Sequence, residues 1–183
     1  MQAVVIAVKD DERTMATASS LVSELTAAGV RARLDNRTTQ GFGRRATEWE
    51  LKGVPVRVEV GPRDIESGQA TIVRRDSGDK NSVAFDVISA SVATLLESMH
   101  TEMIEAARRR LTDRTVEAAS VAEALDAAKT GFARIPWQQL GEEGEDALNR
   151  EAVSVRCLQT RQGTVPGIGD LDSDLIAIVG RSY

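Results

Sequence analysis

The sequence predicts an α/β fold, and three patterns lead to that prediction. Residues 3–8 form a continuous apolar run, which is typical of a strand buried on both faces. Valine occupies every second position across residues 54–60, as expected for a strand with one buried face. Apolar residues recur at helical spacing from about residue 87 to residue 112, which indicates one long helix.

The first 86 residues are predicted to fold in the order β-α-β-α-β-β-β. The predicted strands are residues 3–8, 30–34, 54–60, 69–73 and 82–85, and the predicted helices are residues 10–28 and 44–51. Acidic residues at positions 10–12 suit the positive end of the first helix, and Gly29 ends it. Gly61 and Pro62 indicate a turn, and residues 76–79 indicate the turn of a hairpin. These elements form an α/β layer with antiparallel strands at one edge.

The remaining residues predict a smaller α/β unit that begins at about residue 116. Its predicted elements are helices over residues 121–129 and 145–150, and strands over residues 132–135, 153–158 and 175–179. Residues 161–174 are predicted to form a loop. Cys157 lies within a predicted strand, where we expect it to be a small core residue.

Composition excludes several classes of function. The chain has 183 residues with one cysteine and one histidine, so it can form neither an internal disulfide nor a Cys/His structural zinc site. Aromatic residues make up only 3%, which disfavours rows of rings that stack on bases. No apolar run approaches the roughly 20 residues of a membrane span. The N-terminus has no signal-peptide pattern, so we expect a cytoplasmic protein.

Charge is unevenly distributed along the chain. The net charge of −5 argues against coating of nucleic acid through bulk charge. Residues 31–80 nevertheless contain eleven basic and eight acidic residues, a net charge of +3, which leaves −8 for the rest. This asymmetry indicates either an anionic partner or an ordinary solvated surface of mixed charge. No phosphate-binding loop and no nucleophile beside a base is evident, so the sequence assigns no catalytic residue.

One long segment resembles a known family. Residues 47–64 read TEWELKGVPVRVEVGPRD, which is similar to the anticodon-binding domain of prolyl-tRNA synthetases of the eukaryote/archaeal-like class II type. Residues 73–80, VRRDSGDK, resemble a hairpin of that domain, and residues 33–37, RLDNR, resemble its second strand and loop. Segments around Trp137, Cys157 and Tyr183 are similar to the C-terminal extension of the same family.

The resemblance implies an organisation in three regions. An anticodon-binding domain with a mixed sheet and flanking helices spans residues 1–90, a long connecting helix spans residues 91–115, and a smaller α/β extension spans residues 116–183. Many family members bind zinc in this extension through four cysteines. Gln138 occupies the place of the first of them, and Cys157 does not belong to the set, so we expect no metal in this chain.

The resemblance also implies which residues read the anticodon. A proline anticodon contains two guanines, and a guanine edge offers N–H donors to a carboxylate and O6 and N7 acceptors to Arg or Lys. The implied base-reading residues are Glu50, Arg57, Arg63, Asp64 and Lys80, and the implied secondary tRNA contacts are Arg44, Lys52, Arg74 and Arg75. Strand alternation predicts that Arg57 is exposed opposite the valines. Trp49 is expected in the core rather than on a stacking platform.

The implied partners lie outside this sequence. The family's catalytic domain, which uses ATP and Mg²⁺, is not part of the chain, so we expect the chain to belong to a longer, homodimeric enzyme that attaches proline to its tRNA. The expected partners are a proline tRNA and that catalytic domain, with no membrane and no cofactor bound by this chain itself. A freestanding RNA-binding or regulatory subunit built from the same domain is the alternative. A small-molecule-binding α/β domain is a third, less favoured interpretation.

Overall fold

A computed structural model of the protein describes residues 1–166 and 174–181. The chain divides into two compact units, residues 1–102 and the residues from 103 onward. The boundary lies inside a long helix at Ile88–Asp113, which helical spacing predicted to within one residue at each end. The three-region division with a separate connecting helix stays a prediction.

The first unit confirms the predicted order of strands and helices except for one short helix, α3, that the sequence did not predict. Its strands are β1 (Ala3–Ala7), β2 (Ala32–Asp35), β3 (Val56–Val60), β4 (Gln69–Arg74) and β5 (Lys80–Ala84). Its helices are α1 (Glu12–Ala27), α2 (Phe42–Leu51), α3 (Pro62–Ser67) and α4 (Ile88–Asp113), and a short 3₁₀ turn at Phe85–Val87 precedes α4. The sheet has the order β2-β1-β3-β4-β5, with β1 parallel to β2 and β3. At one edge of the sheet, β4 is antiparallel to β3 and β5 is antiparallel to β4, as predicted.

Each face of this sheet packs against different helices. Val5, Val56 and Val58 contact the apolar stripe of α1 and the first half of α4. Val4 and Ile6 point the other way and pack against Trp49 and its neighbours on α2. Since α1 and α2 cover opposite faces, β1 is buried on both, which is why its sequence is a continuous apolar run.

Helix α3 replaces the simple turn that Gly61 and Pro62 predicted. Pro62 begins the helix, where a missing N–H is harmless, and Asp64 Oδ2 accepts a hydrogen bond from the backbone N–H of Gly61 over 2.8 Å. Gly68 ends the helix with a φ of 68°, a left-handed conformation that favours glycine. The prediction failed because a six-residue helix is too short for apolar periodicity to reveal it.

The second unit is a four-stranded sheet with two helices. The strands are β6 (Thr115–Glu117), β7 (Phe132–Pro136), β8 (Val153–Gln159) and β9 (Ile176–Arg181), and the helices are α5 (Val121–Ala127) and α6 (Trp137–Arg150). The sheet has the order β6-β7-β9-β8, and both helices pack on one of its faces. Sequence analysis missed the three-residue strand β6. It also began α6 eight residues too late, because Gly141 and Gly144 interrupt the helical pattern.

The expectation that Cys157 belongs to the core is wrong, because Cys157 is exposed. Val155 pairs with Val179, which faces the helices, so regular alternation would turn Cys157 the same way. A β-bulge between Val155 and Cys157 shifts the register and places Leu158 in that position instead. Of the terminal segment that resembles the family, Tyr183 and the residue before it lie outside the described residues.

Candidate nucleic-acid interface

A row of side chains crosses the α2-covered face of the first sheet. Val4 of β1 pairs with Arg33 on one side and with Arg57 on the other, and Val73 of β4 pairs with both Arg57 and Lys80. Residues that pair directly point to the same face of a sheet. Arg57 and Lys80 therefore lie on one face, two strands and roughly 10 Å apart. The structure thus brings together two residues that the sequence assigned to base reading.

Arg57 forms an ion pair with Glu59 on that same face. Its Nε donates to Oε1 of Glu59 over 2.8 Å, and the two side chains are only 15% and 12% exposed. The Arg57 side chain is therefore much less exposed than strand alternation predicted, because its guanidinium lies along the strand beside the carboxylate of Glu59. The pair places a donor group and an acceptor group side by side, the two kinds of group that a guanine edge requires.

Helical geometry places Glu50 on the side of α2 that faces β3. The buried stripe of α2 contains Phe42, Arg45, Ala46 and Trp49. At about 100° per residue, Glu50 lies on one flank of this stripe and Lys52 on the other. Contacts made by α2 show that the Lys52 flank is the one beside β2. Glu50 is exposed and has no hydrogen-bond or ion-pair partner in the described part of the chain.

Arg63 and Asp64 lie at the carboxyl ends of β1 and β3. With Val8, Lys9 and Gly61 they line an open cavity of about 290 Å³. Arg63 is exposed, whereas one oxygen of Asp64 already caps α3. The other carboxylate oxygen of Asp64 remains available to accept a hydrogen bond.

A buried arginine that sequence analysis did not assign fixes the position of α2. Arg45 is fully buried, and its guanidinium donates to the backbone oxygens of Ala7, Asp35 and Gln40 at 2.8, 3.3 and 3.1 Å. These three oxygens belong to the end of β1, the end of β2 and the loop that enters α2. The available sequence signal was its place at the second position of the spacing Phe42, Arg45, Ala46, Trp49, which is that of a buried helix face.

Asp35 completes the anchor of α2. Its carboxylate accepts hydrogen bonds from Trp49 Nε1 at 2.5 Å and from the backbone and side chain of Arg37. Burial alone would raise the pKa of Asp35, but the hydrogen bonds from Arg37 and Trp49 outweigh it and hold the pKa well below its usual value. Asp35 therefore stays ionised beside Arg45, whose Nη1 lies 3.6 Å from Oδ1 of Asp35.

Three cations surround the indole ring of Trp49. Lys52 Nζ lies 4.4 Å from the ring centroid, and the guanidinium carbons of Arg33 and Arg37 lie 5.9 and 5.8 Å from it. These distances are within the range of cation–π attraction. Trp49 is buried, which confirms the expectation that it is a core residue. The ring therefore holds charged side chains in place and is not available to stack on a base.

Ion pairing divides the basic residues of this region into two groups. Arg37, Arg44 and Arg57 are each bonded to a carboxylate. Within residues 31–80, the cations without an ion-pair partner among the described residues are Arg31, Arg33, Lys52, Arg63, Arg75 and Lys80. An unpaired exposed cation can bind an anion without first breaking an internal bond.

Arg74 is not brought together with the other assigned residues. It pairs with Val56, which faces α1 and α4, so Arg74 points away from the face of Arg57. Its guanidinium is bonded to Asp76 and to Glu102 of α4, and these hydrogen bonds raise its pKa further above the usual value. The neighbouring Arg75 is exposed at the end of β4.

The described residues contain no group of three His, Cys, Asp or Glu side chains placed to hold a metal ion. Among the same residues, no helix is both long enough and apolar enough to cross a membrane. The arrangement at the α2-covered face can instead bind an anionic, hydrogen-bonding partner through mixed charges.

Comparisons with known proteins identify the first unit. The anticodon binding domain family matches residues 2–95, slightly more than half of the chain. Proline–tRNA ligase 2 of Streptomyces avermitilis is 48% identical over 183 residues, and the proline–tRNA ligase of Frankia alni is 46% identical over 182 residues. Both alignments cover 100% of this chain, which spans 39% of the length of each relative.

A solved structure extends the similarity to the second unit. Prolyl-tRNA synthetase from Cryptosporidium parvum, crystallised with L-proline and AMP, has a TM-score of 0.84 to this chain at 24% sequence identity. The match covers 100% of this chain and 41% of that chain. The likeness confirms the fold of both units.

Proposed function

The chain belongs to the anticodon-binding domain family, in the form found in proline–tRNA ligases, and from this premise we propose that its α2-covered face reads the guanines of a proline anticodon. The proposed base-reading residues are Glu50, Arg57, Arg63, Asp64 and Lys80. Arg44, Lys52 and Arg75 are proposed to contact the tRNA more weakly. Arg74 faces the other way, and we propose no base contact for it.

One observation supports this assignment most strongly. Arg57 and Lys80 occupy one cross-strand row, beside the acceptor group of Glu59. Guanine offers two N–H donors on its Watson–Crick edge and two acceptors, N7 and O6, so it is read best by a carboxylate together with a cation. A purely basic surface would attract phosphate but would not distinguish guanine from cytosine.

The activity of the parent enzyme is a further part of the proposal. We propose that the chain acts within a cytoplasmic proline–tRNA ligase, a homodimer whose catalytic domain lies outside this sequence. That catalytic domain would use ATP and Mg²⁺. The described part of this chain offers no donor set for Mg²⁺, so its own contribution is to bind and orient tRNA.

A binding titration at fixed salt tests the proposal. The two ligands are a proline tRNA transcript and the same transcript with cytosines in place of the two anticodon guanines. We expect the cytosine transcript to bind at least about tenfold more weakly, since each good side-chain–base pair contributes about 1–3 kcal/mol. Equal affinities would contradict base reading and favour a general RNA-binding subunit. A failure to bind either transcript would contradict anticodon recognition by this chain on its own.

A further inference from the structure

We infer that Arg33 and Lys52 form a second RNA-contacting site, which binds a phosphodiester of the tRNA backbone on the β2 side of α2. This inference rests on the proposed function and adds to it a residue, Arg33, that the family resemblance did not assign. Helix α2 separates this site from the base-reading residues Glu50 and Arg57. The two surfaces are therefore about one helix diameter apart, roughly 10 Å, a distance that a single RNA strand spans.

The geometry around Trp49 supports the site. Arg33 projects from the edge strand β2, and Lys52 follows the last turn of α2, yet both cations lie against the ring of Trp49, at 5.9 and 4.4 Å from its centroid. The ring is itself fixed, because its Nε1 donates to the buried carboxylate of Asp35. Two side chains that would otherwise be mobile are thus each held against the same ring before any ligand arrives. Preorganisation of this kind lowers the entropic cost of binding.

The local balance of charge also favours binding of an anion. Neither Arg33 nor Lys52 has an ion-pair partner in the part of the chain that the structure describes. The nearby carboxylate of Glu48 is already bonded, by Arg37 at 2.7 Å and by Arg44 at 3.2 Å. Asp35 is likewise bonded by Arg37 and buried. The surface therefore keeps two uncompensated positive charges, which an anion can neutralise.

The hydrogen-bonding groups on the β2 side of α2 favour a phosphate over a base. Reading a guanine requires an available carboxylate to accept its N–H donors. On the β2 side of α2 the carboxylates of Asp35 and Glu48 are both occupied, whereas Glu50 on the other side has no partner in the described residues. The β2 side thus offers donors only, and an anionic phosphodiester is the part of RNA that donors alone can bind.

Salt dependence of tRNA binding tests this site. The variant Arg33→Gln/Lys52→Gln is compared with the control Arg13→Gln/Arg108→Gln, which removes the same charge. Arg13 is exposed on α1, on the other side of the sheet, and Arg108 is exposed on α4. Dissociation constants for both transcripts are measured between 50 and 200 mM salt, and circular dichroism verifies that each variant is folded.

A phosphate site predicts a smaller salt dependence with unchanged base discrimination. Each lost phosphate contact reduces the slope of log affinity against log salt by about 0.7–0.9. Because the site binds one phosphodiester, over this fourfold range of salt the wild type should lose about 2.6- to 3.5-fold more affinity than Arg33→Gln/Lys52→Gln. The control should keep the wild-type slope, and the guanine-to-cytosine affinity ratio should be the same in all three proteins.

Two results would overturn the inference. One is a slope for Arg33→Gln/Lys52→Gln that equals the slope of the control. The other is a collapse of the guanine-to-cytosine ratio in that variant, which would mean that the residues read bases. Failure of the proposed function would give a different result. The wild type would then bind the two transcripts with equal affinity, so the guanine-to-cytosine affinity ratio would be one. The slopes of affinity against salt could still be compared between the variant and the control.

Discussion

The guanidinium of Arg45 and the carboxylate of Asp35 lie 3.6 Å apart, and neither side chain is exposed. Around this pair, hydrogen bonds join the ends of β1 and β2 to α2. The pair has no direct contact with the proposed base-reading residues. It determines instead where α2 lies, and therefore where Glu50 and Lys52 are presented.

Removal of Arg45 should destabilise the first unit strongly. Arg45→Met leaves the buried carboxylate of Asp35 without one partner and three backbone oxygens without donors, so we expect a loss of about 3–5 kcal/mol in the free energy of unfolding. Arg44→Met, on the next position of the same helix, removes an exposed cation and should cost less than about 0.5 kcal/mol. Urea denaturation followed by fluorescence measures both values, in a Trp137→Phe background so that Trp49 is the emitting residue. Similar losses in the two variants would contradict the role assigned to Arg45.

The ionisation of Asp35 should make the first unit sensitive to acid. Because the folded state holds the pKa of Asp35 below its unfolded value, the resulting stabilisation is complete above about pH 4 and is lost as the pH falls towards the folded pKa. Asp35→Asn should be less stable than the wild type at pH 7. The difference between the two should shrink steadily when urea titrations are repeated at lower pH. A difference that stays constant from pH 7 to pH 2.5 would show that the charge of Asp35 does not stabilise the fold.

The two faces of the sheet should respond differently to loss of a cation. Lys80→Gln removes an unpaired cation from the face of Arg57, so tRNA affinity should fall by about fivefold or more at low salt. Arg74→Gln removes a cation that is bonded to Asp76 and Glu102 on the other face, so affinity should stay within about twofold of the wild type. Filter binding with the proline transcript gives both values. A larger loss for Arg74→Gln would mean that the RNA binds the α4 side of the sheet.

The sequence predicted the order of elements in the first unit because each strand has a simple pattern. Strand β1 is apolar throughout since helices cover both of its faces, and β3 alternates since only its valine face is covered by apolar groups. Such patterns depend on local spacing alone. The family resemblance supplied the site residues, and the structure brought Arg57 and Lys80 to one face.

Features that depend on distant contacts could not be predicted in the same way. Burial of Arg45 requires three carbonyl oxygens from separate segments, and no local pattern reports them. The exposure of Cys157 depends on a bulge in β8 that reverses the alternation. Strand alternation alone predicts an exposed side chain for Arg57, whereas its ion pair with Glu59 leaves the side chain mostly buried.

The most direct test of base reading by this face compares Arg57→Lys with the wild type on both transcripts. Lysine keeps the charge of Arg57 but lacks the planar fork that donates two hydrogen bonds to one base. We expect the affinity for the guanine transcript to fall by about 1–3 kcal/mol, the affinity for the cytosine transcript to change little, and the slope with salt to stay the same. A guanine-to-cytosine affinity ratio as large in Arg57→Lys as in the wild type would contradict the assignment of Arg57 to base reading.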